Sequence, residues 1–523
     1  MTPTRTCIVT GAAGGIGRAL LAEFAAPDVR LIAVDLPGSG VADAVAEHGP
    51  QHVGLECDLS DEAQIVALFA QIDTLCDGVD ILLNNAAMGP IMAPTVQTDI
   101  AHFRLTLRTN LAGPFVMARE AAARMGAGGV IVNTASLAGV LGNPTRNAYA
   151  ASKAALISLT RSLACEWAAR GIRVNAIAPG YVRTPMVAAL EAAGKADLRA
   201  VRRRIPMGRL ARADEMASVI GFLASDKARY VTGAILGVDG GWMSFNQPGD
   251  AHPPADVVPA AEQSRPFADP APRVVVVTGA ADGIGAAIAA RFVASGDRVA
   301  IVDRNGEGAK AQAATLGASA QAFVCDVTDE QAVTDCFAQI VQALGPVDIL
   351  VNNAAIADAF QPATEQTTAD LERVLDVNLT GAFLCARAAI PSLQAGRGVI
   401  VNIGSIAGLV PMAPRHAYGA SKAGIDILTR CFAAELGPQG IRTATVAPGY
   451  IRTPGVAALE KAGRIDSGKI RARIPMGDLG QPQDIAEAVW FLASPGASYV
   501  NGTLLSVDGG WNAFGSAGDA SDS

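Results

Sequence analysis

Tyr149 and Lys153 stand four residues apart in the small-residue run A-Y-A-A-S-K, and the pair recurs as Tyr418 and Lys422. At that spacing both side chains fall on one face of a helix. An ammonium beside a phenol stabilises the phenolate and lowers its pKa. Such a phenol can give or take a proton near neutral pH. Thirteen positions upstream of each tyrosine stands a serine, Ser136 or Ser405, after an apolar run that reads as a strand reaching the edge of a sheet. From there its hydroxyl can hold a carbonyl or alcohol oxygen. One Tyr-x-x-x-Lys is common by chance. Two copies, each with its serine at the same spacing, point to proton-transfer chemistry built twice.

A second constellation recurs with the first. Thr10-Gly11-Ala12-Ala13-Gly14-Gly15-Ile16-Gly17 closes one apolar run and opens a helical one, and Thr278-Gly279-Ala280-Ala281-Asp282-Gly283-Ile284-Gly285 does the same. Glycines there allow a tight turn and let a diphosphate approach the backbone N–H groups of a helix N-terminus. The next strand-like run ends at Asp35 or Asp303, where a carboxylate meets the adenosine ribose. It accepts from a 2′-hydroxyl and repels a 2′-phosphate, so the expected cofactor is NAD. Arg304 softens that preference in the second copy, while Asp282 in the glycine turn pushes the other way.

These motifs need elements to hold them. Apolar runs (TCIVTG, RLIAVD, VGLECD, VDILLNNAA, GVIVNTAS, IRVNAIAPG and AILGVDGG in the first half) alternate with alanine-rich helical stretches. Near-continuous apolar strands separated by helices form a parallel sheet covered on both faces. Gly11 recurs as Gly279 and Asp35 as Asp303, an offset of 268, while Tyr149 to Tyr418 and Trp242 to Trp511 give 269. A period this long means duplicated domains. The expected fold is therefore α/β: two doubly wound Rossmann-like domains with parallel sheets, in tandem. The expected boundaries are 1–246 and 273–513, with a proline- and alanine-rich linker at 247–272 and a loose tail at 514–523.

Composition agrees. The 523 residues are 50% hydrophobic with 55 glycines, and the net charge of −8 carries no basic block, which argues against nucleic acid. The N-terminal stretch has no charged segment leading into a long apolar core, and no long uninterrupted apolar run occurs, so a cytoplasmic protein is expected. Eight cysteines lie scattered without a C-x-x-C pair, and the five histidines form no cluster. Reduced buried thiols and no metal site are expected.

With these residues assembled, each half resembles the short-chain dehydrogenase/reductase family. The resemblance rests on TGxxxGIG, Asp58 and Asp326 after the third strand, NNAA at Asn84 and Asn352, Asn110 and Asn378, the Ser/Tyr/Lys sets, and the PG-to-Thr segments of Pro179 and Pro448. It implies NAD-dependent interconversion of a secondary alcohol and a ketone in each half. By resemblance Tyr149 and Tyr418 exchange the proton, and Lys153 and Lys422 hold the nicotinamide ribose. Ser136 and Ser405 position the substrate oxygen, and Asn110 and Asn378 hold a water. Asp58 and Asp326 face adenine, next to Leu59 and Val327. Asn85 and Asn353 serve the adenosine side. Pro179, Val182 and Thr184, with Pro448, Ile451 and Thr453, serve the nicotinamide side.

The stretches after Thr184 and Thr453 correspond to a mobile lid over the substrate. Arg202, Arg203 and Arg204, with Arg471 and Arg473, either greet an acidic substrate or decorate a solvated helix. Arg146 and Arg415, three residues before each tyrosine, are better placed for a carboxylate or phosphate. The stretches at Met88 and Ile356 differ between the copies, which leaves room for two substrates. A relay or epimerase-like enzyme, one half oxidising and the other reducing or oxidising further, is the alternative; a non-catalytic nucleotide-binding scaffold is a third. The resemblance also implies association through the helices bearing the asparagine and the Tyr/Lys pair. A homodimer giving a four-unit assembly follows by analogy.

Overall fold

The apolar runs of the first half become seven parallel strands in the computed structural model: β1 (Arg5–Thr10), β2 (Val29–Asp35), β3 (Val53–Glu56), β4 (Ile81–Asn84), β5 (Val130–Thr134), β6 (Arg173–Pro179) and β7 (Ile235–Val238). The second half repeats them as β8 (Val274–Thr278), β9 (Arg298–Asp303), β10 (Ala320–Val324), β11 (Ile349–Asn352), β12 (Val399–Ile403), β13 (Arg442–Pro448) and β14 (Thr503–Val507). The described residues are 5–520 except 143, 193–196, 255–256, 263–271, 359, 394–397, 413 and 517.

Both sheets have the order 3-2-1-4-5-6-7 within their unit. Cys7 pairs with Leu31 on one side and Ile81 on the other, and Val275 with Val299 and Ile349, all in parallel register. Helices cover both faces, so the central strands are buried on both sides, and their polar residues, such as Asn84, Asn133 and Asn175, are buried with them. The order reverses between β1 and β4, and between β8 and β11. A crevice must open there at the carboxyl ends of the strands. The expected fold class holds in both halves.

The two units share one core. A single hydrophobic cluster runs from Leu20 and Leu21 through the helices Ala213–Ala224 and Pro482–Leu492 to Ile288 and Phe292. The opposite faces keep separate cores. Across the junction the Tyr230 hydroxyl donates to the Asp478 carbonyl and the Tyr499 hydroxyl to the Arg209 carbonyl, each at 2.8 Å. Ser498 donates to Glu215, and Arg229 pairs with Asp484 at 2.7 Å. The internal contact is thus made by the last helix and last strand of each unit. The C-terminal end of the helix bearing Tyr418 adds a smaller contact, with Gly437 against Pro206.

Each unit also runs further than its expected boundary. Gly249-Asp250-Ala251 recurs as Gly518-Asp519-Ala520, and the N–H groups of Ala251 and Ala520 donate to the carbonyls of Arg203 and Ala472 at 2.7 and 2.6 Å. Ala520 is fully buried, so the tail is anchored at that point. The helical run Thr368–Ser392 is long and apolar enough to cross a membrane. Here it lies against the second unit, with Leu384, Cys385, Ala386 and Ala389 buried in that unit's core.

Candidate active sites

At the end of β1, Gly11 adopts φ +64°, and a Cβ there would fall 2.8 Å from the Ala86 Cα. A Cβ on Gly17 would lie 2.0 Å from the Gly11 carbonyl oxygen. Only glycine fits either position. The helix Gly15–Phe24 that follows has no acidic residue in its first turn and no side-chain bond at its cap, Gly14. Its first N–H groups therefore remain open to an anion. The second unit repeats this at Gly279 (φ +62°) and Gly285, with Asp282 as an unbonded cap.

A cleft of about 530 Å³ opens over the first turn, lined by Gly11, Gly15, Ile16, Gly17, Asp35, Asp58, Leu59, Asn85 and Thr184. The second, about 400 Å³, is lined by Gly279, Asp282, Gly283, Ile284, Asp303, Asp326, Val327, Asn353 and Thr453, with Arg304 at its rim. Asp35 accepts from the N–H of Ala13 at 2.8 Å and of Leu36 at 2.8 Å. Asp303 accepts from Ala281 at 3.1 Å and Asn305 at 2.9 Å. Both carboxylates are thereby fixed at the cleft, each with acceptor capacity left for a ribose. The cradle, the open helix end and the fixed carboxylate fit a dinucleotide in both units.

The remaining expected binders act as supports. Asn85 donates to the carbonyls of Thr10 and Gly11 at 3.1 and 3.2 Å, and Asn353 to Thr278 and Gly279 at 2.9 Å, so they brace the glycine turns as well as lining the clefts. Pro179 and Pro448 end β6 and β13, in register with Val238 and Val507 of β7 and β14. Val182 and Ile451 bridge to Ala211 and Gly480 and pack inward. Gly285 sits beneath its turn, where a Cβ would be 2.2 Å from the Gly279 carbonyl.

Ser136, Tyr149 and Lys153 converge at the carboxyl end of β5. The Ser136 hydroxyl stands near enough to the Tyr149 hydroxyl to favour its ionised form. The Lys153 Nζ donates to the Thr134 carbonyl at 2.7 Å and lies 5.8 Å from the Tyr149 ring centre. Ser405, Tyr418 and Lys422 repeat the arrangement, with Lys422 bonded to the Ile403 carbonyl at 2.7 Å. The electrostatics differ from the sequence expectation. Burial pushes both phenols above their ordinary value, opposed by the serine hydroxyls and by Arg146 or Arg415. It also pulls both lysines down to about 8. Desolvation disfavours each charged form more than either lysine assists its tyrosine.

Asn110 lies in a π-helical segment, Arg108–Ala112, and Asn378 in Asp376–Thr380. Such widened turns concentrate at functional sites. The Asn110 amide accepts from the Met88 N–H at 2.7 Å and donates to the Met88 carbonyl at 3.0 Å and the Ser152 hydroxyl at 3.2 Å. Ser152 in turn donates to the Tyr149 carbonyl at 2.8 Å. The side chain thus clamps the cleft wall to the helix bearing tyrosine and lysine, and Asn378 does the same through Ile356 and Ser421. Ser152 and Ser421 were not singled out from sequence, though each directly precedes its lysine in both copies.

The lid arginines are committed. Arg202 bonds Glu262 and Glu191, Arg204 lies over Trp242 and Phe245, and Arg473 lies over Trp511 and Phe514. Arg203 faces Asp250 at 3.5 Å and Arg471 faces Asp478 at 3.3 Å. Arg202 is neutralised by buried carboxylates, Arg203 and Arg471 face carboxylates at the surface, and Arg204 and Arg473 are held against rings with no ion pair among the described residues. The matched pair Arg146 and Arg415 divides. Arg415 bonds the buried Asp358 at 2.9 Å and covers the Tyr418 ring at 4.3 Å, and Asp358 also accepts from the Tyr418 N–H at 3.2 Å. The first unit has Pro90 at the equivalent place, and among the described residues Arg146 has no ion-pair partner.

Comparison with known proteins agrees with this geometry. The family profile described as Enoyl-(Acyl carrier protein) reductase matches twice, over residues 11–243 and 279–512. A Sinorhizobium fredii protein named as an uncharacterized short-chain type dehydrogenase/reductase is 53% identical over 97% of this chain and 92% of its own length. The cis-4-hydroxycyclohexanecarboxylate dehydrogenase of Sinomonas cyclohexanicum is 43% identical over 46% of this chain and 98% of its own. The D-threitol dehydrogenase of Mycolicibacterium smegmatis is 40% identical over 46% and 92%.

Proposed function

The chain belongs to the short-chain dehydrogenase/reductase family, as two tandem copies of its unit, and from that premise we propose an NAD-dependent enzyme with two working sites. It is an oxidoreductase of alcohols or carbonyls. Each site interconverts a secondary alcohol and a ketone. The observation that carries this reading is the meeting of a serine, a tyrosine and a lysine beside a glycine-turn cleft, twice.

NAD bound in the cleft supplies the hydride acceptor. The chain's own part is to orient and to move a proton. The Ser136 hydroxyl holds the substrate oxygen; in the reducing direction the Tyr149 hydroxyl gives its proton to that oxygen, and in the oxidising direction the Tyr149 phenolate takes the proton back. Lys153, held by the Thr134 carbonyl, fixes the ribose side. Ser405, Tyr418 and Lys422 do the same in the second unit. Asp35 and Asp303 select NAD by accepting from the 2′-hydroxyl, and Arg304 loosens that selection in the second cleft. The test is a screen of hydroxy acids, polyols and aryl alcohols with NAD and NADP, read as NADH or NADPH absorbance. NAD-linked turnover supports the reading, and its absence across the screen overturns it.

One observation favours different substrates in the two sites. Asp358 neutralises Arg415, whereas Arg146 keeps its charge unpaired near Tyr149. The first site then suits an anionic hydroxy compound and the second an uncharged one, which keeps a two-step relay open. The two dehydrogenases named above act on substrates of both kinds. The chain assembles as a homodimer. Phe383 and Ile427, on the helices bearing Asn378 and Tyr418, are 41% and 57% exposed beside a shallow apolar groove with Leu379 and Leu428. We place it in the cytoplasm, in keeping with its eight free cysteines.

A further inference from the structure

The segment between the units places one carboxylate in the first unit's lid. Glu262, whose side chain is fully buried, receives four N–H groups. Arg202 donates through Nε at 2.7 Å and Nη2 at 2.9 Å, Arg183 through Nη1 at 3.2 Å, and the Leu210 backbone at 2.7 Å. Glu191 closes the cluster, bonding Arg202 and Arg183 at 2.7 Å each. The chain just before Glu262 is held too, by Arg212 on the Ala261 carbonyl at 2.7 Å.

The donors come from separate parts of the lid. Arg183 adjoins Thr184, whose methyl overlies Gly15 in the cleft. Glu191 belongs to the helix Pro185–Ala192, Arg202 to Leu198–Arg204, and Leu210 to the strand-like stretch that bridges Val182 through Ala211. Two positive and two negative charges balance. Removing Glu262 alone leaves a buried guanidinium half-compensated and a backbone N–H unpaired, both costly inside a protein.

The second unit meets the same need from within. The equivalents of Arg183 and Arg202 are Arg452 and Arg471, and both pair with Asp478, an exposed residue at the position of Arg209. In the first unit Arg209 is a cation bound to Glu215, so the neutralising carboxylate must come from elsewhere. We infer that Glu262 is a positioning residue for the first site, and that the stretch 257–262 is a strap fixing that unit's lid over its cleft. Arg183, next to Thr184, carries the effect to the cofactor side. The kinetic part rests on the proposed function, whereas the mechanical part does not.

The test compares the full chain with Glu262→Gln and Glu262→Asp by hydrogen exchange over residues 182–192 and 198–212. The segment 451–473 is the internal reference. Glu262→Gln is expected to speed exchange in the first lid about tenfold, with the second lid unchanged and Glu262→Asp largely protected. In a Tyr418→Phe background Glu262→Gln is also expected to raise the KM for NAD several-fold with kcat much less changed. If exchange stays at the parental rate in Glu262→Gln, the strap is overturned, whatever the turnover. If exchange rises while neither the parent nor any variant turns over, the strap stands and the proposed function fails.

Discussion

Phe222 and Phe491 hold the same place in the two repeats and stack face to face across the junction, ring centres 4.0 Å apart and planes 2° apart. A residue meeting its own counterpart marks a local twofold axis, here inside one polypeptide. The hydroxyls of Tyr230 and Tyr499 reach across that axis reciprocally. The duplication thus produced an internal isologous interface whose core belongs to both units.

That shared core should make the units unfold together. Phe222→Ala removes a buried ring from the axis, at a cost of about 3–5 kcal/mol. The parent is expected to show one thermal transition, and Phe222→Ala a lower and broader one in which the units separate. An unshifted single transition in the variant would mean the interface contributes little.

The buried lysines fix a sign for the pH dependence of stability. Burial holds Lys153 and Lys422 near 8 in the folded chain, below their ordinary 10.5. Below pH 8 both forms of the chain carry the proton and the full cost of burying the charge is present. Between about 8 and 10.5 the unfolded chain binds more protons, so stability rises with pH. Each lysine contributes on the order of 2 kcal/mol to that rise. Subtracting the unfolding free energy of Lys153→Met from that of the parent, from pH 7 to 10, isolates the first lysine. A flat difference would contradict the burial argument.

Charge around the second tyrosine should set substrate preference. Asp358→Ala frees Arg415, and in a Tyr149→Phe background it is expected to raise the ratio of hydroxy-acid to neutral-alcohol kcat/KM about tenfold. Arg146→Ala in a Tyr418→Phe background should lower the same ratio. Ratios that do not move in either variant would remove these arginines from substrate recognition.

The exposed apolar groove yields a mass. Light scattering of the parent is expected to give twice the 53.3 kDa chain, and Phe383→Glu with Ile427→Glu a single chain. A parent that is already one chain would overturn the homodimer.

The fold and the core of each site were legible because their signals are local. A glycine forced to φ +64°, an apolar run buried on two faces, and a tyrosine and lysine one helical turn apart are all written in neighbouring residues. Asp358 and Glu262 left no such trace. Their partners lie 57 and 60 residues away, in one copy only, and nothing in the spacing tells a bonded carboxylate from a solvated one. Arg202 was misjudged for the same reason, since its type is visible and its partner is not. The lysine's weak hold on the phenol reflects burial, which sequence expresses only through the finished fold.

The central claim, two complete proton-transfer sites in one chain, is tested most directly by NAD-linked turnover of Tyr149→Phe, Tyr418→Phe and the double variant on the same alcohols. Each single variant is expected to retain the activity of its intact unit, and the double variant to fall at least about 100-fold below the parent. A double variant that turns over like the parent would contradict the account.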